Sequence, residues 1–307
     1  MIYSEKTLQS WTAPMSETEK KRMENTVLII KSAMDAGKEM QRRNLDYEVF
    51  AQGSYANDTN IRPGSAVDVC VMLKSTYYYE LPEGKLASAD DEVVPKTTTF
   101  QEFRDFVMKA LQDRFGAKNV ADGNKSLKVR DNTTHVRANV VPAFQFRCYL
   151  NVSKNIFLEG IRFHAKDRSL VTNFPKLHLV NAAAKDKRTN QKYKALVRIM
   201  KHIRDDMVEK KLVDGDIITS FLAECLIWNV PDDIITRYPT WTETLWNTIV
   251  YLHNTVSDGK QDEWTEGCVV QDLFDGSKWT ADDVRQWLFD TWKYTDLAHH
   301  PDVRFSD

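Results

Sequence analysis

Residues 52–73 read QGSYANDTNIRPGSAVDVCVML, a Gly-Ser pair followed about a dozen residues later by an alternating apolar run that carries one carboxylate, Asp68. The alternation marks a strand, with Val67, Val69, Val71 and Leu73 on one face and Asp68, Cys70 and Met72 on the other. Upstream, YEVFAQGS is a short strand running into the Gly-Ser turn. There Gly53 lets the backbone approach closely, and Ser54 offers a hydroxyl and an amide to phosphate oxygens. Position 66 shares the Asp68 face and holds alanine. A carboxylate at 66 would converge with Asp68 on one point, and a third oxygen ligand could come from RANVVPAF, where Asn139 precedes two valines and Pro142. Three such oxygen ligands at a sheet edge suit two magnesium ions, which keep several waters and take the rest of their shells from substrate phosphates. That chemistry is two-metal nucleotidyl transfer.

Working outward, Ser16 and Glu19 form a capping box for a helix with Met23, Val27, Ile30 and Met34 at helical spacing and Gly37 as its stop. Thr99 and Glu102 cap a second helix with Phe103, Val107 and Leu111 on one side. Residues 75–99 mix Pro, Gly and acidic residues without a period and read as a surface insertion. Residues 126–146 read as a hairpin turning near Asp131-Asn132. From about residue 190 the pattern turns helical, with Leu196, Met200, Ile203 and Met207 in one segment, then ITSFLAECLIWNV stopped by Pro231, then TWTETLWNTIVYLHNTV and TADDVRQWLFDTW. The expected architecture is α+β: a mixed-sheet core with its N-terminal helix over 1–160, a helical lobe over 161–307, and a ligand cleft between them.

Composition narrows the function classes. Charge is nearly balanced, 42 basic against 44 acidic residues, which removes the footprint of a protein gripping long nucleic acid. A small anion held in one basic pocket stays compatible with that balance. No apolar run reaches the length of a membrane span and the N-terminus lacks the features of a secretory signal, so no membrane is expected and the cytoplasm is the default address. Cys70, Cys148, Cys225 and Cys268 lie far apart and read as thiols rather than a zinc site or a disulfide framework. His299-His300 on a polar tail reads as solvent-facing.

QGSYANDTNIRPGSAVDVCV, RANVVPAF, YKALVRIMKHIRD and ITSFLAECLIWNVP, in this order and across both lobes, resemble the motifs of bacterial cGAS/DncV-like nucleotidyltransferases, in the polymerase-β-like superfamily. The resemblance implies a polymerase-β-like core plus a C-terminal helical lobe. It also implies synthesis of cyclic di- or trinucleotide second messengers from ATP, GTP or other ribonucleoside triphosphates with Mg2+ or Mn2+, in anti-phage defence, where a product-sensing effector protein is the indirect partner. It carries catalytic roles onto the positions of Asp68, Ala66 and Asn139, the metal role onto Asp68 and Asn139, and nucleotide binding onto Gly53, Ser54, Lys201 and Ser220. Lys194, Arg198 and Lys201, at i, i+4 and i+7, would form a cationic stripe opposite the apolar face of their helix. Residues 173–188 resemble the connector over the nucleotide pocket.

The family pattern has aspartate at the positions of Ala66 and Asn139, so only Asp68 keeps its carboxylate. Alanine binds no metal, and asparagine keeps an oxygen without the charge. The chain therefore reads as a catalytically impaired synthase: a variant altered at position 66 so as to bind without turnover, or a natural binding-only relative, with the origin of Asn139 open. Two other functions compete, a nucleotide-binding pseudoenzyme that signals to a partner and a template-independent RNA nucleotidyltransferase.

Overall fold

The computed structural model describes residues 2–82, 94–95, 97–132, 136–275 and 278–296, which leaves His299-His300 and much of the 75–99 stretch outside the described residues. The chain divides into two compact units: one holds Met15–Asn57 and Arg62–Leu177, the other Met1–Pro14, Asp58–Ile61 and the chain from His178 onward.

The first unit is built on a mixed sheet of seven strands among the described residues: β1 (Tyr47–Gln52), β2 (Val67–Glu80), β3 (Val120–Asp122), β4 (Leu127–Val129), β5 (Ala138–Asn151), β6 (Ile156–His164) and β7 (Leu170–Asn173). The order is β1-β2-β5-β4-β3, and β6 pairs with β5 and β7. β1 and β2 are antiparallel, whereas β2 and β5 are parallel, which requires a crossover connection. The helix in that crossover is α5 (Phe100–Phe115), which opens with the expected Thr99/Glu102 capping box and packs against α2 (Glu17–Asp35), itself opened by the Ser16/Glu19 box. Ile30, Met34, Phe103, Val107 and Leu111 are fully buried, so α5 places its anticipated apolar face in the core and α2 does so in its second half, with Met23 and Val27 half-buried. The short α3 (Lys38–Arg42) joins α2 to β1.

Three details depart from the sequence expectation. β2 continues to Glu80, because β5 supplies partners for Tyr77, Tyr78, Tyr79 and Glu80 after a register shift at Leu73. The surface insertion thus begins later than residue 75. The 126–146 hairpin is present as β4 against β5, with Val129 opposite Ala138, so its turn spans 130–137, of which 133–135 lie outside the described residues. A boundary at residue 160 would cut β6, whose pairing with β5 keeps one register from Phe157 to Arg162, and the sheet unit accordingly extends to Leu177. Pro142 sits inside β5 without breaking it: β4 pairs only as far as Val140 and β6 begins at Phe144, so the missing N–H falls in the gap between them.

The second unit is helical. It contains α1 (Glu5–Trp11), α6 (Pro175–Arg188, apart from its first three residues), α7 (Lys192–Glu209), α8 (Ser220–Trp228), α9 (Asp232–Arg237), α10 (Trp241–Ser257) and α11 (Ala281–Tyr294). Its core joins Leu196, Met200, Ile203 and Met207 of α7 to Leu222 and Leu226 of α8, Leu245 and Ile249 of α10, and Trp287 of α11. α1, which the sequence reading had not singled out, belongs here: the Glu5 carboxylate accepts from the backbone N–H groups of Trp241 and Thr242 at the start of α10. An acid at a helix N-terminus is favourable against both the orphan donors and the macrodipole.

Candidate functional site

In the sheet unit, Gly53, Asp68 and Asn139 come together. β1 ends at Gln52, directly opposite Asp68, and the chain then turns into a short helical segment, α4 (Gly53–Ala56). Gly53 has φ of +73°, and a Cβ on it would lie 2.6 Å from Asp68 Oδ2. Glycine is thus required twice, once for its left-handed backbone and once because any side chain would strike the carboxylate. Ser54 follows in the first turn of α4.

Asp68 and Asn139 are direct neighbours in the parallel β2–β5 register, and the Asn139 amide Nδ2 donates to Asp68 Oδ1 at 2.9 Å. Burial pushes the Asp68 carboxyl above its ordinary pKa, and the Asn139 hydrogen bond acts against that rise. Ala66 lies just before β2 and is half-buried. Its methyl group offers no donor or acceptor.

The residues present do not fit a two-ion site. Asp68 is one carboxylate, and its neighbour presents an N–H to it rather than a second anionic oxygen. No group of three or more His, Cys, Asp or Glu side chains suited to a metal ion occurs among the described residues.

The helical unit holds Lys201 and Ser220. The expectation of a cationic stripe opposite the apolar face of α7 is corrected here. Lys201 is 2% exposed and Arg198 5%, because α7 is covered on nearly every side. Arg198 donates through Nε to the Thr12 carbonyl at 3.0 Å and through Nη1 to the Asp58 carbonyl. Lys201 Nζ donates to the Glu224 carboxylate and, at 3.0 Å, to Thr59 Oγ1. Glu224, 3% exposed, also meets His178 Nε2 at 2.8 Å and accepts from Thr59 Oγ1 at 2.7 Å. Burial works to raise the Glu224 pKa, but the Lys201 ammonium and the His178 contact outweigh it and hold the carboxyl well below the usual range.

Ser220 is the first residue of α8, and the cap is its neighbour Thr219, whose hydroxyl accepts from Leu222 N–H at 3.1 Å. Ser220 and Glu224 are i and i+4, so they share the α8 face that Lys201 meets. The sequence reading missed Glu224, Thr59 and His178. The available signal was one acid inside the otherwise apolar stretch SFLAECLIW, a residue that stays in a core only when paired.

Comparison with known proteins agrees with this architecture. Residues 180–296 match the family described as the cGAS/DncV-like nucleotidyltransferase C-terminal helical domain. The chain is 34% identical over 298 residues, 96% of its own length and 99% of the relative's, to a cyclic dipyrimidine nucleotide synthase CdnE from Cecembia lonarensis. A cyclic dipyrimidine nucleotide synthase CdnE from Legionella pneumophila is likewise 34% identical, over 94% of this chain and 97% of that protein. Among solved structures, the Rhodothermus marinus CdnE c-UMP-AMP synthase with Apcpp and Upnpp superposes with a TM-score of 0.79 at 30% identity, covering 98% of this chain and 100% of that one.

Proposed function

Since the chain belongs to the bacterial cGAS/DncV-like nucleotidyltransferases, we propose that its fold serves synthesis of a cyclic oligonucleotide from ribonucleoside triphosphates with release of pyrophosphate, and that this sequence is an impaired form of that enzyme. The observation that carries the second half is the Asn139–Asp68 hydrogen bond at 2.9 Å. It places a neutral donor where the chemistry needs a second anionic oxygen, and Ala66 supplies none.

What remains supports nucleotide binding. The Gly53-Ser54 turn is built against Asp68, and its backbone and the Ser54 hydroxyl are suited to phosphate oxygens. Ser220 stands in the first turn of α8, where backbone donors favour an anion. Lys201 is assigned to triphosphate binding, for which the ammonium must exchange part of its contact with Glu224 and Thr59 for phosphate. The role in anti-phage signalling, the Mg2+ or Mn2+ requirement and the separate effector belong to this reading.

The experiment is chromatographic. This chain, Ala66→Asp, Asn139→Asp and the double substitution are incubated with all four ribonucleoside triphosphates and Mg2+, treated with phosphatase, and resolved for a phosphatase-resistant product. The expected result is product from the double variant and little or none from the parent. A double variant that binds triphosphate and releases no pyrophosphate would replace this reading with a nucleotide-binding pseudoenzyme.

A further inference from the structure

The sheet unit contains a concavity that the Asp68 cluster does not line. It is a cavity of about 720 Å3 whose walls include Tyr78, Phe100, Arg104, Phe144, Lys166 and Arg168. Phe144 lies five residues along β5 from Asn139, about 17 Å at a rise of roughly 3.4 Å per residue, and alternation sends its side chain to the other face of the sheet. The cavity is therefore distinct from the Asp68–Asn139 site.

Its lining has two components. Tyr78 is close to Phe144, and Phe100 meets the Phe144 ring edge-on at 5.7 Å between centroids, so one wall is an aromatic cluster in which Tyr78 and Phe144 are buried and Phe100 is the half-buried ring. The other wall is cationic: Arg104, Lys166 and Arg168 line it, and no carboxylate does among the described lining residues. Asp122, outside the lining, pairs with both Arg104 and Lys166, leaving three cations against one carboxylate.

Arg104 supplies the independent sign of a ligand. It is 4% exposed, and its Nη2 donates to Asp122 Oδ1 and to the Gly123 carbonyl, both at 2.7 Å. Its Nη1 is buried and has no hydrogen-bond partner among the described residues. An unpaired donor on a buried guanidinium is costly, and an incoming anion would satisfy it. The cavity is also bounded by Thr99 and Gln101 at the start of α5, where the Thr99/Glu102 capping box already satisfies the Thr99 and Glu102 N–H groups.

From this geometry we infer that the cavity is a second nucleotide site, separate from the catalytic one, which takes a nucleoside monophosphate. The base packs on the half-buried ring of Phe100, which Phe144 supports edge-on from the core, and the phosphate engages Arg104 and Arg168. The volume lies within the range of small-molecule pockets.

The test is calorimetric titration of the chain with AMP and with UMP, without added metal, alongside Arg168→Glu, Gln101→Glu and Ser54→Ala. Arg168 and Gln101 are exposed, so their substitution leaves the core intact. Ser54→Ala alters only the phosphate turn near Asp68. The expected result is measurable binding that falls tenfold or more in Arg168→Glu and Gln101→Glu and persists in Ser54→Ala. Absence of monophosphate binding, binding unchanged in both cavity variants, or binding lost in Ser54→Ala would overturn the inference. The last outcome would place the ligand at the catalytic site and leave the proposed function standing.

Discussion

Asn139→Asp replaces the 2.9 Å hydrogen bond to Asp68 with two carboxylates at the same separation. With an effective dielectric of about 20, two unit charges about 3 Å apart repel by roughly 6 kcal/mol. The pair has a cheaper course, which is to hold one shared proton. Keeping one carboxyl protonated at about pH 7, when its unfolded-state pKa is near 3.9, costs about 4 kcal/mol, and at about pH 5 only about 1.5 kcal/mol. Proton uptake therefore wins at both pH values and sets the penalty. The sign follows from linkage: the folded-state pKa of the pair is raised, so the destabilisation is absent below the unfolded-state pKa and grows as pH rises toward the folded one. For a unit of this size, about 4 kcal/mol corresponds to a melting temperature lower by roughly 8 to 16 °C. A divalent cation that binds the two carboxylates displaces the proton and restores stability by mass action. Scanning calorimetry of parent and variant at both pH values, with and without Mg2+, reads all three effects. A variant that melts with the parent at neutral pH, or whose deficit ignores both pH and Mg2+, would refute the assignment of Asp68 and Asn139 to one metal-binding cluster.

Other outcomes follow from the same geometry. Glu224→Gln removes the charge facing buried Lys201 and should destabilise the helical unit by about 3 to 5 kcal/mol, read by urea unfolding. Because the Glu224 pKa is depressed in the folded state, the stability it contributes is present above the ordinary carboxylate range and is lost as pH falls through and below it, which an acid titration of helical circular dichroism will show. Gly53→Ala should cost about 1 to 2 kcal/mol for its left-handed backbone, with a further cost from the contact with Asp68, and should weaken triphosphate binding measured by calorimetry. Lys201→Ala should weaken triphosphate binding about tenfold or more, since a charge-assisted phosphate hydrogen bond is worth roughly 1.5 to 3 kcal/mol; unchanged affinity would leave Lys201 a structural partner of Glu224 alone.

Local rules made much of the fold legible. The capping boxes at Ser16/Glu19 and Thr99/Glu102 and the alternation through Val67–Leu73 depend on neighbours a few residues apart, and all three are found in place. The extension of β2 to Glu80 was not legible, because it depends on pairing with Gln145–Cys148, some seventy residues distant. The cationic stripe failed for a similar reason. Periodicity places Arg198 and Lys201 on a helix face but is silent about what covers that face, and here it is covered by Glu224, Thr59 and the carbonyls of Thr12 and Asp58.

The contrast between Asp68 and Lys201 shows what motif reading conveys. At Asp68 the sequence supplied the spacing and the structure supplied its reason: Gln52 pairs with Asp68, so the next residue must turn beside the carboxylate with no side chain of its own. Gly53 and Asp68 are therefore coupled, and a substitution at either disturbs the other. At Lys201 the motif supplied a charge whose cost of burial is met by Glu224, four residues beyond the helix-opening Ser220. A phosphate arriving there would compete with Glu224 for the same ammonium. If that competition governs binding, Glu224→Gln should tighten triphosphate affinity in the same protein whose stability it lowers. A structural lysine predicts the loss of stability without the gain in affinity, so measuring both quantities on one variant separates the two roles.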